Sequence, residues 1–521
     1  MEHMGFLSIL PPLIAVVLAM RTKNVLLSLF AGAFVGVVIL CGWNPATALP
    51  TMIKDFIFKQ AASSYNSSIM VLMTFVGGMV ALLTNSGGAA AFAMKATKFI
   101  NTKAKAITAT WLGGLFIWFS DSANALLLGP LFQPITDKLR ISREKLAWIV
   151  DSTSSPICVL IPIIGWGIYI MGTIEKEFAA LNLDLSEWTT FIQAIPYQFY
   201  AWGALLLIPL MAYTGIDFGP MSKAEERAMK KGQLVAPGAK PLRPAASIEL
   251  PEGVTPRISV ILWPLAVVFV VFFAMLFAHG FPYKKIPGPV LRTGLTSGYF
   301  LGAMVCMALM VKNKIKSSKE CFDIYINGMQ SMLFILMVLV LAWSLSSVCK
   351  QMGTANYIIQ LTKGNIPVWT IAPLIFLTGA FVSFATGTSY GTFAILMPIA
   401  IPMSVSLGAP MLPCIAAVLS GGLFGDHCSP ISDTTIMSSM GAACDHIDHV
   451  KTQLPYAITV AVASFITYTA AFWIHSGFVL LVFSLLLMAL LTIIQGKIWG
   501  NKTPNYTIEE IEQMVPVTAG D

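Results

Sequence analysis

One short polar cluster late in the chain constrains the fold more than any other feature. Gly425-Asp-His-Cys-Ser-Pro-Ile-Ser-Asp-Thr-Thr435 carries two acids, one imidazole, one thiol and four hydroxyls. The run Ile415–Phe424 leading into it is apolar, and a run of mostly small residues reaching Ala443 leads out. An ionisable side chain at membrane depth is costly, so it marks a functional site by default. Pro430 lacks an N–H and Gly425 accepts any backbone geometry, so a helix is expected to break here. The backbone groups freed by a break are tolerated inside a membrane only where they are buried in protein or line a cavity. The cluster therefore reads as an ion or substrate site in a broken helix.

Composition fixes the solvent. Of 521 residues, 56% are hydrophobic and 11% charged, and the mean hydropathy is +0.76. Soluble domains carry about 25% charged residues, so the chain is expected to be polytopic in a membrane. Phe6–Met20 lacks a basic leader and a small-residue cleavage site, and reads as a span rather than a signal peptide. The formal charge of +7 gathers in loops, where basic residues mark the inner face, and implies no nucleic acid. The eight cysteines form no CxxC pair and read as small apolar fillers. No HExxH, GxSxG or P-loop lysine motif is present, so neither hydrolase chemistry nor ATP-driven transport is indicated.

Hydropathy predicts an all-α protein of about eleven spans plus two re-entrant hairpins. Residues 1–65 hold two spans and an outer loop. Residues 66–214 form a first unit, with a hairpin at 106–135 interrupted at 119–124 and a broken helix at 146–172 interrupted by Asp-Ser-Thr-Ser-Ser-Pro, 151–156. Residues 215–257 read as a proline-bearing cytoplasmic linker without a fold, and 258–325 as connecting spans and a basic loop. Residues 326–475 form a second unit, with a hairpin at 366–404 interrupted at 386–389 and a broken helix at 411–443. Residues 476–521 are a last span and cytoplasmic tail. Lys98, Arg143, Lys230 and Lys316 are expected inside, and a loop bearing Glu177, together with Lys363, outside.

The two units look related. Gly88-Ala-Ala-Ala-Phe92 and Gly353-Thr-Ala-Asn-Tyr357 each begin 31 residues before a phenylalanine, Phe119 and Phe384, and Ser155-Pro-Ile157 matches Ser429-Pro-Ile431. One unit starts outside and the other inside, as inverted repeats require.

In such architectures the hairpin tips and helix breaks converge near mid-membrane. That brings forward Asp121, Ser122 and Asn124; Asp151, Ser152, Thr153 and Ser154; Thr386, Thr388 and Ser389; and Asp426, Ser429, Ser432, Asp433 and Thr434. Carboxylates, hydroxyls and amides are the oxygen donors a hard cation wants. A carboxylate that takes either a cation or a proton couples the two fluxes, because desolvation favours its neutral form and a nearby cation its charged form. Asp121, Asp151, Asp426 and Asp433 are the candidates. Each also fits a helix N-cap, Asp151 most of all. His427 reads equally as a proton shuttle, a pH sensor or a packed histidine. His446 and His449 share a helix face, but with Cys428 they fall short of the close four-ligand spacing of structural zinc, and a solvated helix end is the simpler reading.

The string GDHCSPISDTT closely resembles the signature of the NhaC family of sodium/proton antiporters, and the hydropathy pattern extends that similarity over roughly residues 5–500. The resemblance implies exchange of Na⁺ or Li⁺ for H⁺ in a bacterial plasma membrane, with proton coupling at Asp426, Asp433 and His427. It implies no cofactor beyond the transported ions. Relatives that exchange malate and lactate leave open a small organic acid or amino acid as cargo. Similarity to elevator-type carriers implies a homodimer.

Overall fold

The computed structural model describes residues 3–22, 24–241, 257–281, 287–354, 356–357, 360 and 367–513. Lys363 and the last eight residues, for which an orientation was expected, lie outside the described residues, as do Pro244, Pro251 and Pro256 of the expected linker.

Helices α1 (Leu10–Thr22) and α2 (Val25–Leu40) pair at the start, and α2 begins where the Asn24 side chain accepts the Leu27 N–H. After a bend of 117° the chain runs on through Pro45–Ala61, then enters α3 (Ser64–Thr84). The first hairpin is α4 (Lys103–Phe116) and α5 (Asp121–Lys138), with α6 (Arg143–Cys158) and α7 (Gly165–Leu181) behind it. Then come α8 (Phe199–Thr214), β1 (Ile216–Phe218), α9 (Gly219–Lys231), α10 (Ser259–Ala278), α11 (Gly288–Lys312), α12 (Ser318–Ser331) and α13 (Leu333–Met352). The second hairpin is α14 (Ile371–Thr386) and α15 (Ser389–Leu407), followed by α16 (Met411–Cys428) and α17 (Asp433–Gly441). Helices α18 (His446–Ala470) and α19 (Gly477–Trp499) and strand β2 (Gly500–Lys502) close the chain.

The protein is a multi-pass helical membrane protein. Among the described residues eight helices are long and apolar enough to span a bilayer, and ten if each of two bent pairs counts as one. The expected eleven also included Leu146–Gly172 and Leu454–Ile474. These fall in α6, α7 and α18, outside that set, and α6 and α18 carry charged and amide side chains along their first turns. Each half repeats the same order: a helical hairpin, then a helix interrupted by a short break.

The breaks have local causes. Helix α4 ends at Phe116, and Ser120 caps α5 by accepting the Ala123 N–H at 3.1 Å. Helix α14 ends at Gly387, whose φ of 67° is a left-handed geometry that glycine adopts without strain. The break after α16 spans Ser429–Ser432, with Ser432 capping α17. The break in the first half is not where the sequence placed it. Residues 151–156 are helical within α6, and the interruption falls at 159–164. Pro156 costs the helix one bond to the Ser152 carbonyl without ending it, and Pro162 falls in the break itself. The Ser-Pro-Ile triplets are thus not equivalent: one lies inside the end of α6, the other just past the end of α16.

Small residues hold the second break in place. Gly421 and Gly425 of α16 lie against the backbone of Phe376 and Ala380 in α14, so closely that a Cβ at either would collide with a carbonyl oxygen. This contact presses Asp426 against the hairpin.

The expected linker is folded over its first part, because its prolines from Pro237 onward lie beyond Lys231. Strand β1 pairs antiparallel with β2, and α9 packs on α6 and α18. Lys145, two residues from Arg143 and one of the basic residues that the sequence places in loops, is buried and donates to Asp217 at 2.6 and 2.8 Å; Tyr456 donates to the same carboxylate at 2.7 Å. Lys103, also buried, pairs with Glu225 at 2.5 Å. Removing either acid would leave a buried ammonium uncompensated. Since α4 and α6 both begin on this one β1–α9 segment, the intervening hairpin leaves and returns to the same end of the molecule. Glu177 is also not in an exposed loop: it lies in α7 and is buried, 3% exposed.

Candidate functional site

The hairpin tips and the breaks meet around one cavity of about 430 Å³. Its polar wall comes from Ser120, Asp121 and Ser122 at the start of α5, Thr388 and Ser389 at the start of α15, Asp426 near the end of α16, and Asp433 and Thr434 at the start of α17. Gly165 and Trp166 of α7 and Tyr390 of α15 add to it, and apolar side chains of α3 and α13, with Ser331 and Met332 at the junction of α12 and α13, close the other side.

Each acid is held differently. Asp121 Oδ1 accepts the Ser122 N–H at 2.7 Å and its hydroxyl at 3.2 Å, while Oδ2 accepts the Trp166 indole N–H at 3.2 Å. Asp426 is buried, and its Oδ2 accepts the Ser389 hydroxyl at 2.9 Å, a bond between the two interrupted elements of the second half. Asp433 is exposed on the first turn of α17 and makes no hydrogen bond among the described residues. Acids at 121 and 433 also suit the positive end of a helix dipole. Four helix N-termini, of α5, α7, α15 and α17, border the cavity, with the C-terminal end of α16. Of the four, α7 and α15 have no side-chain cap, so their first N–H groups remain available.

The other candidates lie off the cavity. Asp151 sits in a buried cluster: Ser438 donates to Oδ1 at 3.3 Å and Gln453 to Oδ2 at 2.7 Å, with His427 and His449 nitrogens at 3.8 and 3.9 Å. His427 is sandwiched between the Tyr200 hydroxyl at 2.7 Å and the Ser152 hydroxyl at 3.2 Å, and Gln453 donates to its backbone carbonyl. Thr153 and Ser154 turn their hydroxyls back on their own helix, and so does Thr386. Asn124 donates to the carbonyls of Gly114 and Thr153, tying α5 to α4 and α6. Ser429 donates to Phe384 O, and Ser432 serves as a cap. The expected grouping of 151–154 with the hairpin tips therefore gives way to a second, dry cluster. Its cause is the shift of the break: a continuous α6 turns these side chains into the interior.

His449 is buried and bonded to Ser439 and Gln453 rather than solvated, whereas His446 is half-buried and reaches Pro430 O. Among the described residues no three His, Cys, Asp or Glu side chains are grouped to hold a metal ion. Sequence reasoning missed Trp166 and Tyr390 at the cavity, and Gln453 and Tyr200 in the dry cluster. Gly165-Trp-Gly167, just past Pro162, was the available signal for Trp166.

Comparison with known proteins now places the molecule. A model of the Na⁺/H⁺ antiporter family matches residues 157–473. The chain belongs to the Na⁺/H⁺ antiporter family. By that membership it is a secondary transporter. An uncharacterized protein of Haemophilus influenzae is 34% identical over 491 residues, covering 90% of this chain and 91% of that one. The malate-2H⁺/Na⁺-lactate antiporter of Bacillus subtilis is 35% identical over 112 residues, only 20% of this chain and 24% of its own length. Two solved structures share the fold at 14% identity. The Alcanivorax borkumensis YdaH transporter, of unusual topology, has a TM-score of 0.56 over 82% of this chain and 89% of its own. Neisseria gonorrhoeae MtrF, from a class of antimetabolite efflux pumps, has a TM-score of 0.54 over 82% and 84%.

Proposed function

We propose that this family member exchanges Na⁺, with Li⁺ as an alternative cargo, for H⁺ by alternating access in a bacterial plasma membrane. One observation supports the reading most: carboxylates of both halves, Asp121 with Asp426 and Asp433, border a single cavity at helix breaks. In this reading a cation binds among those oxygens with help from Ser122, Thr388 and Ser389. A proton on the same carboxylates excludes it, so each ion leaves before the other loads. Asp426 carries the most weight, because its Ser389 contact joins hairpin to broken helix and a change in its charge is felt by both. The homodimer implied by the resemblance belongs to the same reading.

A second reading has its own support. The uncapped N-termini of α7 and α15 at the cavity would favour a carboxylate, and 430 Å³ is far more room than a bare cation needs. The partial match to the malate/lactate antiporter points the same way. A small organic acid or amino acid would then enter with the ions.

The test is flux in proteoliposomes under imposed Na⁺ and pH gradients, with and without a panel of organic acids and amino acids. Na⁺-driven proton movement without any organic solute supports the first reading. Movement that starts only when one acid is supplied supports the second, and no ion-coupled flux under any condition rejects both.

A further inference from the structure

Away from the central cavity, two adjoining spaces of about 270 and 250 Å³ share Ala180, Ser346 and Lys350 in their walls. The larger is lined by three lysines against one acid: Lys59 on the segment Pro45–Ala61, Lys176 on α7, Lys350 on α13, and Asp55. Gln60, Ser346, Ser347 and Gln351 add uncharged polar groups. Lys176 feels the attraction of Glu177 and Glu175 and, more weakly, the repulsion of Lys350 and Lys59.

The lysines are under-used. Lys176 donates to Gln60 Oε1 at 2.6 Å and Lys350 to Ala179 O at 3.3 Å, which leaves most of their donors free. Lys59 makes no hydrogen bond or ion pair among the described residues. Asp55, Glu175 and Glu177 offset part of the lysines' charge, while Lys59 and Lys350 face the space with no carboxylate bonded to them among the described residues, so an anion entering it would be attracted.

The element that supplies Lys59 says which kind of anion. After its 117° bend away from α2, the segment Pro45–Ala61 presents Leu49 (45% exposed), Ile53 (37%) and Phe58 (62%), with Trp43 (61%) at the bend. Basic and apolar groups on one segment that leaves its spanning helix at a sharp angle are the pattern of a helix lying in the membrane interface. Tryptophan is enriched at that depth. A ligand that satisfies both features has an anionic head and an apolar tail.

We propose that this cavity binds the phosphate headgroup of an anionic phospholipid, with Lys59, Lys176 and Lys350 around the phosphate and the acyl chains along Leu49, Ile53 and Phe58. The proposal does not depend on which cargo the central cavity takes. The phosphate chemistry alone would also fit a free anion, and the exposed apolar side chains on the segment that carries Lys59 favour the lipid.

The experiment is native mass spectrometry of the full-length protein in detergent, with added phosphatidylglycerol, phosphatidylcholine or inorganic phosphate. The wild type should retain phosphatidylglycerol over phosphatidylcholine, and inorganic phosphate at millimolar concentration should not displace it. Lys59 and Lys350 are exposed, so K59Q/K350Q should fold. A juxtamembrane lysine contributes roughly fivefold in binding anionic lipid, so the pair should weaken retention about 25-fold. K59R/K350R should keep it. If the glutamine pair lowers the thermal midpoint, the wild type still decides: its retention must fall as salt is raised. Equal retention by wild type and K59Q/K350Q, or retention of phosphate in place of the lipid, would overturn the proposal.

Discussion

Asp426 and Asp151 invite comparison: both are buried aspartates in an interrupted helical element, one in each half of the chain. Asp426 has only serine hydroxyls beside it, Ser389 and Ser432, and borders an open cavity. Asp151 has both oxygens occupied, by Ser438 and Gln453, with two imidazoles close behind. A carboxylate whose acceptor positions are filled by the protein has little to offer a cation, while one with a vacant side toward a cavity has. Burial and residue type are shared, and the vacant acceptor side is what separates a binding group from a structural one.

The sharpest way to break this distinction is to substitute both. Asp426→Asn keeps the shape but cannot exchange a proton, so Na⁺-driven proton flux should be abolished with expression and insertion intact. Asp151→Asn should leave exchange measurable. Its amide oxygen can still accept from Gln453 while its N–H₂ donates to the Ser438 hydroxyl, so the thermal midpoint should fall by no more than about 1 kcal/mol would produce. Exchange lost in D151N at an unchanged midpoint would erase the difference between the two acids.

A second prediction uses pH, and its effect is about tenfold per unit. If Na⁺ and H⁺ compete for the cavity carboxylates, acidification fills them with protons and raises the apparent KM for Na⁺. Below the site's pKa each unit should raise that KM about tenfold while saturating Na⁺ restores the rate. A rate that stays depressed at saturating Na⁺ would shift control to a group outside the cavity. His446, half-buried near the break after α16, would be the first to replace with Gln.

Which parts of this were legible in the sequence follows from the same physics. The second hairpin's break was readable because Thr386-Gly-Thr-Ser389 combines a left-handed glycine with hydroxyls that suit a helix start. The first was readable from Phe-Ser-Asp-Ser, since serine caps are local events. The break after α16 followed from Ser429-Pro430. The stretch 151–156 looked just as polar, yet it stays helical, with the Thr153 and Ser154 hydroxyls bonded to their own helix, Ser152 bonded to His427, and the acid's partners 287 and 302 residues away. No local signal reports such partners. The same holds for Lys103 and Lys145, whose charges read as loop residues until Glu225 and Asp217 are placed beside them.

The smallest predicted effects separate hydroxyls rather than acids. Ser389→Ala removes the donor to Asp426 without changing the backbone. A hydrogen bond to a charged group is worth about 1.5–3 kcal/mol, so the apparent KM for Na⁺ should rise by about 10- to 150-fold, with rate at saturation largely kept. Ser154→Ala removes a hydroxyl that only bonds Asp151 O within its own helix, at 3.0 Å. A serine bonded back onto its own helix contributes little there. Exchange should therefore be unaltered and the thermal midpoint should move by no more than a small surface change would, about 0.5 kcal/mol. In the sequence both serines were candidates of the same kind, each in a short polar interruption of an apolar stretch. If S154A shifts the KM for Na⁺ as much as S389A does, the dry cluster belongs to the ion path and the cavity alone does not define the site.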